Sequence, residues 1–386
     1  MKKRIIATLS AVLAVILLLF TSAFASSAAD DGLKNVDGKW IYVKDGVKDT
    51  SFTSLVKYYN TWYYVENGEL NWSFTGLTDY YGTKYYVENG VLNWDYTGLA
   101  LLGSDEWYYA ENGAVKNDYT GLTYFCGRWF YVEKSALNWD YTGLTNYYGT
   151  WYYVENSILN WNFTGLTDYY GTKYYVENGV LNWNYTGLAL LGSDEWYYAE
   201  NGAVKNDYTG LTYFCGRWFY VEKSALNWNY TGLTNYYGTW YYVENGELNW
   251  NFTGLTDYYG TKYYVENGVL NWDYTGLALL GSDEWYYAEN GAVKNDYTGL
   301  TYFCGRWFYV EKSALNWNYT GLTNYYGTWY YVENGELNWN FTGLTDYYGT
   351  KYYVENGVLN WDYTGLALLG SDEWYYAENG AVKNDY

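Results

Sequence analysis

All 23 tryptophans of this 386-residue chain fall at two places in a short repeat. The first place holds Trp in twelve units and Lys in the other four (Lys84, Lys173, Lys262, Lys351). The second holds Trp in eleven units, Asn in four (Asn117, Asn206, Asn295, Asn384) and Thr50 in the first. An indole is an apolar plate with a negative face, so two of them can stack on a sugar ring or enclose a cation. Along the chain a second-place Trp is followed by a first-place Trp at alternate junctions: Trp94 with Trp107, Trp139 with Trp151, Trp183 with Trp196, Trp228 with Trp240, Trp272 with Trp285, Trp317 with Trp329, and Trp361 with Trp374. These fourteen residues are the candidate ligand-binding set. Filling a core is the other use of such rings, because aliphatic residues are scarce here. The Tyr or Phe that precedes Thr-Gly, from Phe52 to Tyr386, occurs in every unit and is assigned to packing.

Other chemistry finds little support. The chain has no His, which excludes Ser-His-Asp and Cys-His nucleophilic arrangements and His-containing zinc sites. Asp105-Glu106 recurs as Asp194-Glu195, Asp283-Glu284 and Asp372-Glu373, but adjacent strand residues face opposite sides, so a solvated turn is expected rather than an acid–base pair. No catalytic residue, metal site or cofactor is expected. Cys126, Cys215 and Cys304 stand in identical Tyr-Phe-Cys-Gly-Arg-Trp contexts, each 89 residues from the next. Equivalent positions four repeats apart predict free thiols filling a small apolar space, not disulfides.

The elements that must position these residues follow from the repeat. Gly-Leu steps recur at spacings of 22, 23, 22 and 22, and four units make an 89-residue block. With degenerate units at Gly32 and Ser54, sixteen tandem repeats of 22–23 residues run over 32–386. Within Thr61 to Trp72, an aromatic and β-branched run meets Asn67-Gly68 and then a second run, which predicts a hairpin with a type I′ turn. Lys134-Ser135 and Asn156-Ser157 replace Asn-Gly in other units and predict a longer or differently shaped loop there. The following Thr75-Gly76-Leu77 is read as a link where Gly lets the chain bend. One hairpin is barely stable alone, so each must bury its aromatic face on its neighbours. The expected fold is all-β, an elongated solenoid of stacked two-stranded β-hairpins.

Residues 1–25 read differently: Lys2, Lys3 and Arg4, an apolar run from Ile5 to Phe20, then Ala23-Phe24-Ala25. This is the pattern of a signal peptide, followed by a short linker at 26–31, and it predicts a secreted product with no membrane span after cleavage. The formal charge of −21 argues against nucleic acid as a partner and is compatible with a neutral glycan or a cationic group.

The text Gly-Thr-Trp-Tyr-Tyr-Val-Glu-Asn, at Gly149 to Asn156 and again from Gly238, resembles the cell-wall-binding repeats, that is, the choline-binding and glucan-binding repeats of Gram-positive surface proteins. The resemblance covers essentially all of the chain beyond residue 31. It implies hairpins wound as a left-handed superhelix, with ligands held between consecutive hairpins by aromatic side chains. Choline-binding members carry Gly-Trp at the link, whereas here the link is Gly-Leu or Ser54-Leu55, so a neutral glucan or other wall polymer is preferred to choline as the partner. The expected function is a secreted, multivalent, non-catalytic module that binds cell wall or carbohydrate at the cell surface. The alternatives are a structural rod or adhesin spacer, and the binding portion of a wall hydrolase, glucan-processing enzyme or toxin truncated at Asn384-Asp385-Tyr386.

Overall fold

The computed structural model describes residues 31–383, so the signal peptide expected at 1–25 lies outside the described residues. The described chain contains 48 strands and no helix. It divides between Trp183 and Asn184 into two compact units. Both are built from one three-strand repeat: a leading strand of five residues, a central strand of six and a short strand of two.

In the first unit the repeat is clear at Gly76–Tyr80, Thr83–Glu88 and Val91–Leu92. Leading and central strands pair antiparallel, with Leu77 opposite Tyr86 and Tyr80 opposite Thr83. Their turn is Tyr81-Gly82, with φ of 50° and 81°, the conformation of a type I′ turn. The expected Asn-Gly turn is also present, with Asn89 at φ 48° and Gly90 at φ 75°, but its second arm is only Val91–Leu92. The longer hairpin therefore closes across Tyr-Gly. The Gly-Leu link is not a free bend: Gly76 takes φ 151° and begins a strand whose Leu77 is buried.

The hairpins join through backbone. The Tyr64 amide donates to the carbonyl of Gly90 in the next repeat at 2.9 Å, and Tyr63 lies opposite Val91 across the junction. Gly90 is required twice over. Its φ is left-handed, and a Cβ there would lie 2.6 Å from the Asn71 carbonyl oxygen and 3.0 Å from the Trp72 Cα.

At Lys134-Ser135 and Asn156-Ser157 the loop is neither longer nor differently shaped. Ser135 and Ser157 keep φ of 69° and 66°, and the flanking strands keep their lengths. The serine fits because its hydroxyl is satisfied: buried Ser157 Oγ donates to the Tyr131 carbonyl at 3.0 Å, while the Asn138 amide reaches that carbonyl only at 3.4 Å.

The core repeats with the strands. In the first unit Leu122, Tyr131, Val154 and Leu159 form one cluster across two repeats. Tyr131 stacks on Tyr141, the residue before Thr-Gly, at 3.7 Å between centroids, so the packing role expected for that position holds. A raised Tyr141 pKa follows from its burial and then from the neighbouring Tyr131. The second unit repeats this with Leu211, Tyr220, Val243 and Leu248, and with Tyr220 stacked on Tyr230 at 3.8 Å. Such an aromatic core gains offset-stacking energy of about 0.5–1.5 kcal/mol per pair beyond area burial.

The cysteines are free, as expected, but they do not fill an apolar space. All three are exposed, because each sits at the outward tip of the leading–central turn (Cys126 φ 46°, followed by Gly127), where other repeats carry Tyr.

Candidate functional site

Between successive repeats the strands gather four rings from separate positions in sequence. Trp62 comes from the central strand Thr61–Glu66 of one repeat. The next repeat supplies Tyr80 from the end of its leading strand, Tyr85 from its central strand and Trp94 just beyond its short strand. The rings run Trp62 to Tyr80 at 5.1 Å, Tyr80 to Tyr85 at 6.5 Å and Tyr85 to Trp94 at 5.7 Å, each met edge-on. Leu92, buried, forms the floor with Val87. Trp62 and the tyrosines are partly buried, whereas Trp94 is 51% exposed, which leaves one wall open to solvent. Burial raises the Tyr80 pKa, with smaller contributions from Tyr81 and Tyr85, so the Tyr80 phenol keeps its proton.

The same box recurs. Trp40, Tyr58, Tyr63, Leu70 and Trp72 enclose a cavity of about 80 Å³. One water needs ~10–15 Å³ by this measure, so the cavity admits a group of a few heavy atoms. Trp129 packs on Tyr147 at 5.3 Å and Trp161 on Tyr152 at 5.9 Å, and an open groove beside them is lined by Arg128, Glu155, Asn160 and Asn162. In the second unit Trp218 packs on Tyr236 at 5.2 Å and Trp250 on Tyr241 at 5.9 Å.

Asparagine fixes the open wall. Asn160 Nδ2 donates to Glu155 Oε2 at 2.8 Å, and Asn160 Oδ1 accepts from the amide of Asn162 at 2.9 Å. These two bonds bracket Trp161 in an Asx turn that sets the direction of its side chain.

The structure distributes the predicted tryptophans between boxes rather than pairing them as the linear order suggested. Trp94, Trp139, Trp183, Trp228, Trp272, Trp317 and Trp361 are about half exposed and meet the aromatic of their own central strand (Tyr85, Phe130, Tyr174, Phe219, Tyr263, Phe308, Tyr352) at 5.7–6.2 Å. Trp107, Trp151, Trp196, Trp240, Trp285 and Trp329 pack instead on the leading-strand aromatic of the repeat that follows (Phe125, Tyr169, Phe214, Tyr258, Phe303, Tyr347) at 5.1–5.3 Å. Trp374 is 63% exposed. Thus Trp94 shares its box with Trp62, and Trp107 shares one with Trp139. The tyrosines at the leading-strand end and the asparagine before the second Trp were not among the predicted site residues.

Some junctions are built otherwise. Where the first place is lysine, the Lys84 Nζ lies over the Tyr108 ring, 5.0 Å from its centroid, and Lys262 over Tyr286 and Lys351 over Tyr375 do the same at 5.0 Å. Tyr108 is the counterpart of Tyr85. Leu102 and Val115 stand where Tyr80 and Leu92 stand in the open box.

A family model described as a choline-binding repeat matches residues 31–49, 51–71, 73–93, 118–138, 140–160, 162–182, 207–227, 229–249, 251–271, 296–316, 318–338 and 340–360, well over half of the chain. The intervals 94–117, 183–206, 272–295 and 361–386 that it passes over each hold the Leu-Ala-Leu-Leu-Gly-Ser-Asp-Glu text. No curated protein matches the chain. Among solved structures, CbpJ from Streptococcus pneumoniae TIGR4 is 22% identical over 86% of this chain and 100% of its own, with a TM-score of 0.23. Choline binding protein F from Streptococcus pneumoniae, in the presence of a peptidoglycan analogue (a tetrasaccharide-pentapeptide), is 21% identical over 93% and 100%, with a TM-score of 0.19. CbpF in complex with ipratropium is 22% identical over 81% and 99%, with a TM-score of 0.20.

Proposed function

Since the chain belongs to the choline-binding repeat family, we propose that it is a multivalent module that holds choline groups of a cell-wall polymer in its inter-repeat aromatic boxes. The observation that carries this reading is the recurrent ring set typified by Trp62, Tyr80, Tyr85 and Trp94, with one wall half exposed. Several electron-rich faces around a space for a few heavy atoms suit a methylated ammonium, which is attracted to each ring by about 0.5–2 kcal/mol and gives up little hydration on entry. The sequence-level preference for a neutral glycan rested on the missing Trp at the Gly-Leu link. The box draws its rings from other positions and does not need that one. The acidic surface, −21 in formal charge, further favours a cationic partner. One such site is weak; many on one chain raise the avidity of a polymer-bound ligand by orders of magnitude. A secreted product retained on the wall by these repeats is the location that fits this role.

A second reading has its own support. The groove beside Trp129 and Trp161 is lined by Arg128, Glu155, Asn160 and Asn162, polar groups suited to sugar hydroxyls around an indole face. Tryptophan fluorescence titrated with choline, tetramethylammonium and glucose oligosaccharides separates the two. Saturable quenching by both ammonium compounds and none by the sugars is the expected result; a response to sugars alone favours the glucan reading, and a response to none favours a spacer.

A further inference from the structure

We propose that Lys84, Lys262 and Lys351 are built-in occupants of their own junctions: each seats its ammonium where an open box would seat a ligand cation, and so keeps that junction closed. This rests on the cation-binding reading of the open boxes and adds which junctions are silent. Three observations carry it. The ammonium of each lysine lies 5.0 Å from the centroid of the tyrosine that corresponds to Tyr85. That ring keeps its place while its aromatic companions are lost: Leu280 stands for Tyr80 and Asn295 for Trp94. The leading strands at these junctions also draw together, forming parallel bridges Leu77 to Leu102, Leu255 to Leu280 and Leu344 to Leu369.

The physical logic is that of a tethered competitor. A lysine carries its charge at the end of a long apolar stem, which here brings the ammonium over the ring. Being attached, it competes at an effective concentration on the order of mM or above, which a weakly bound free cation does not overcome. The nearby Glu284, whose carboxylate accepts from the Tyr286 hydroxyl at 3.0 Å, adds a negative charge on the same side. Lysine, leucine and asparagine therefore change together as a set. Within the second unit, Trp196, Trp218 and Trp240 begin three open boxes in succession, Lys262 closes the next, and Trp285, Trp307 and Trp329 begin three more.

The test uses the full chain, with choline as probe and equilibrium dialysis to count bound ligand. The triple variant Lys262→Trp, Leu280→Tyr, Asn295→Trp should bind one more choline than the wild type. The double variant Leu280→Tyr, Asn295→Trp, which keeps the lysine, should bind no more than the wild type. A gain in the double variant, or no gain in a folded triple variant, overturns the proposal. A choline-independent readout stands beside it: in ¹³C-lysine-labelled protein, the Lys262 ε-methylene protons should be shifted upfield by the Tyr286 ring and lose that shift in Tyr286→Leu. If no chain binds choline the cation reading fails, yet this shift still decides where the ammonium sits. An unshifted Lys262 signal in the wild type refutes the built-in occupant.

Discussion

Trp62 and Trp94 stand at the two ends of one run of touching rings, joined through Tyr80 and Tyr85, although they belong to different repeats. They do unequal work. Trp94, 51% exposed, forms the open wall of the box, whereas Trp62 also packs on the buried cluster of Leu55, Tyr64, Val87 and Leu92. Trp94→Ala should weaken choline binding at that box by about 2- to 30-fold, the worth of one cation–π contact, with stability nearly unchanged. Trp62→Ala should weaken binding as much and also destabilise the junction by roughly 1–3 kcal/mol, less than the ~3–5 kcal/mol of a fully buried Trp→Ala change because Trp62 is only partly buried. Equal stability losses in the two variants, by urea unfolding, would contradict this division.

Asn160 fixes the open wall of its box without supplying a ring to it. Its side chain bonds Glu155 on one side and the Asn162 amide on the other, holding Trp161 between them. Asn160→Ala should leave the Tyr152–Trp161 contact chemically possible but loosely directed, lowering affinity at that box severalfold while the near-ultraviolet circular dichroism of the tryptophan weakens. Asn160→Asp, which keeps the Oδ acceptor, should retain more of the signal. If both variants match the wild type in affinity and dichroism, the Asx turn is not what orients the indole.

Part of this was legible in the sequence. The Asn-Gly turns, the all-β class and the packing role of Tyr141 follow from residue type, because positive φ and a stacked ring are demanded locally. The leading strand was not legible. Gly-Leu-Thr-Asp-Tyr alternates weakly, and Tyr81 is an unusual residue at φ 50°, tolerated where Gly82 follows and its ring leans edge-on against Tyr80 at 4.6 Å. The pairing of tryptophans was misread because it depends on how far the chain winds before returning: a central strand meets the short strand of the next repeat, as Tyr63 meets Val91. The clue was present, since each first-place Trp that has a next repeat within the chain finds a second-place Trp there, whereas Lys84 finds Asn117.

The two glycine turns of a repeat should respond differently to the same substitution. A Cβ at Gly90 meets the Asn71 carbonyl at 2.6 Å, backbone that has no side-chain freedom with which to yield, whereas one at Gly82 meets nothing within 4 Å. Both have positive φ, so both lose about 1–2 kcal/mol to the left-handed conformation. Gly90→Ala should lose a further ~1–3 kcal/mol to overpacking. The effect should be local, seen as faster hydrogen exchange at the Tyr64 amide, which donates to Gly90. Equal exchange at Tyr64 in Gly90→Ala and Gly82→Ala would count against the close approach.

Alkaline pH should open the core through its buried tyrosines. Tyr96 and Tyr274 are each pushed up to about 12, first by burial and then by the stacked neighbours Tyr86 and Tyr264. Their hydroxyls donate to the carbonyls of Leu99 and Leu277, bonds that require the proton. The unfolded phenol titrates at 10.0, so between pH 10 and 12 the folded chain holds protons that the unfolded chain releases, and stability falls as pH rises. The contribution is fully present below pH 10 and lost by about pH 12. Phe already stands at this position in other repeats, as Phe74 and Phe163, each stacked on its partner at 3.8 Å, so Tyr96→Phe with Tyr274→Phe keeps the stack while removing two ionisations. Followed by tyrosinate absorbance and far-ultraviolet circular dichroism together, the wild type should lose structure in that window and the double variant at a higher pH. An onset that does not move, or one below pH 10, would mean that some other group controls the alkaline transition.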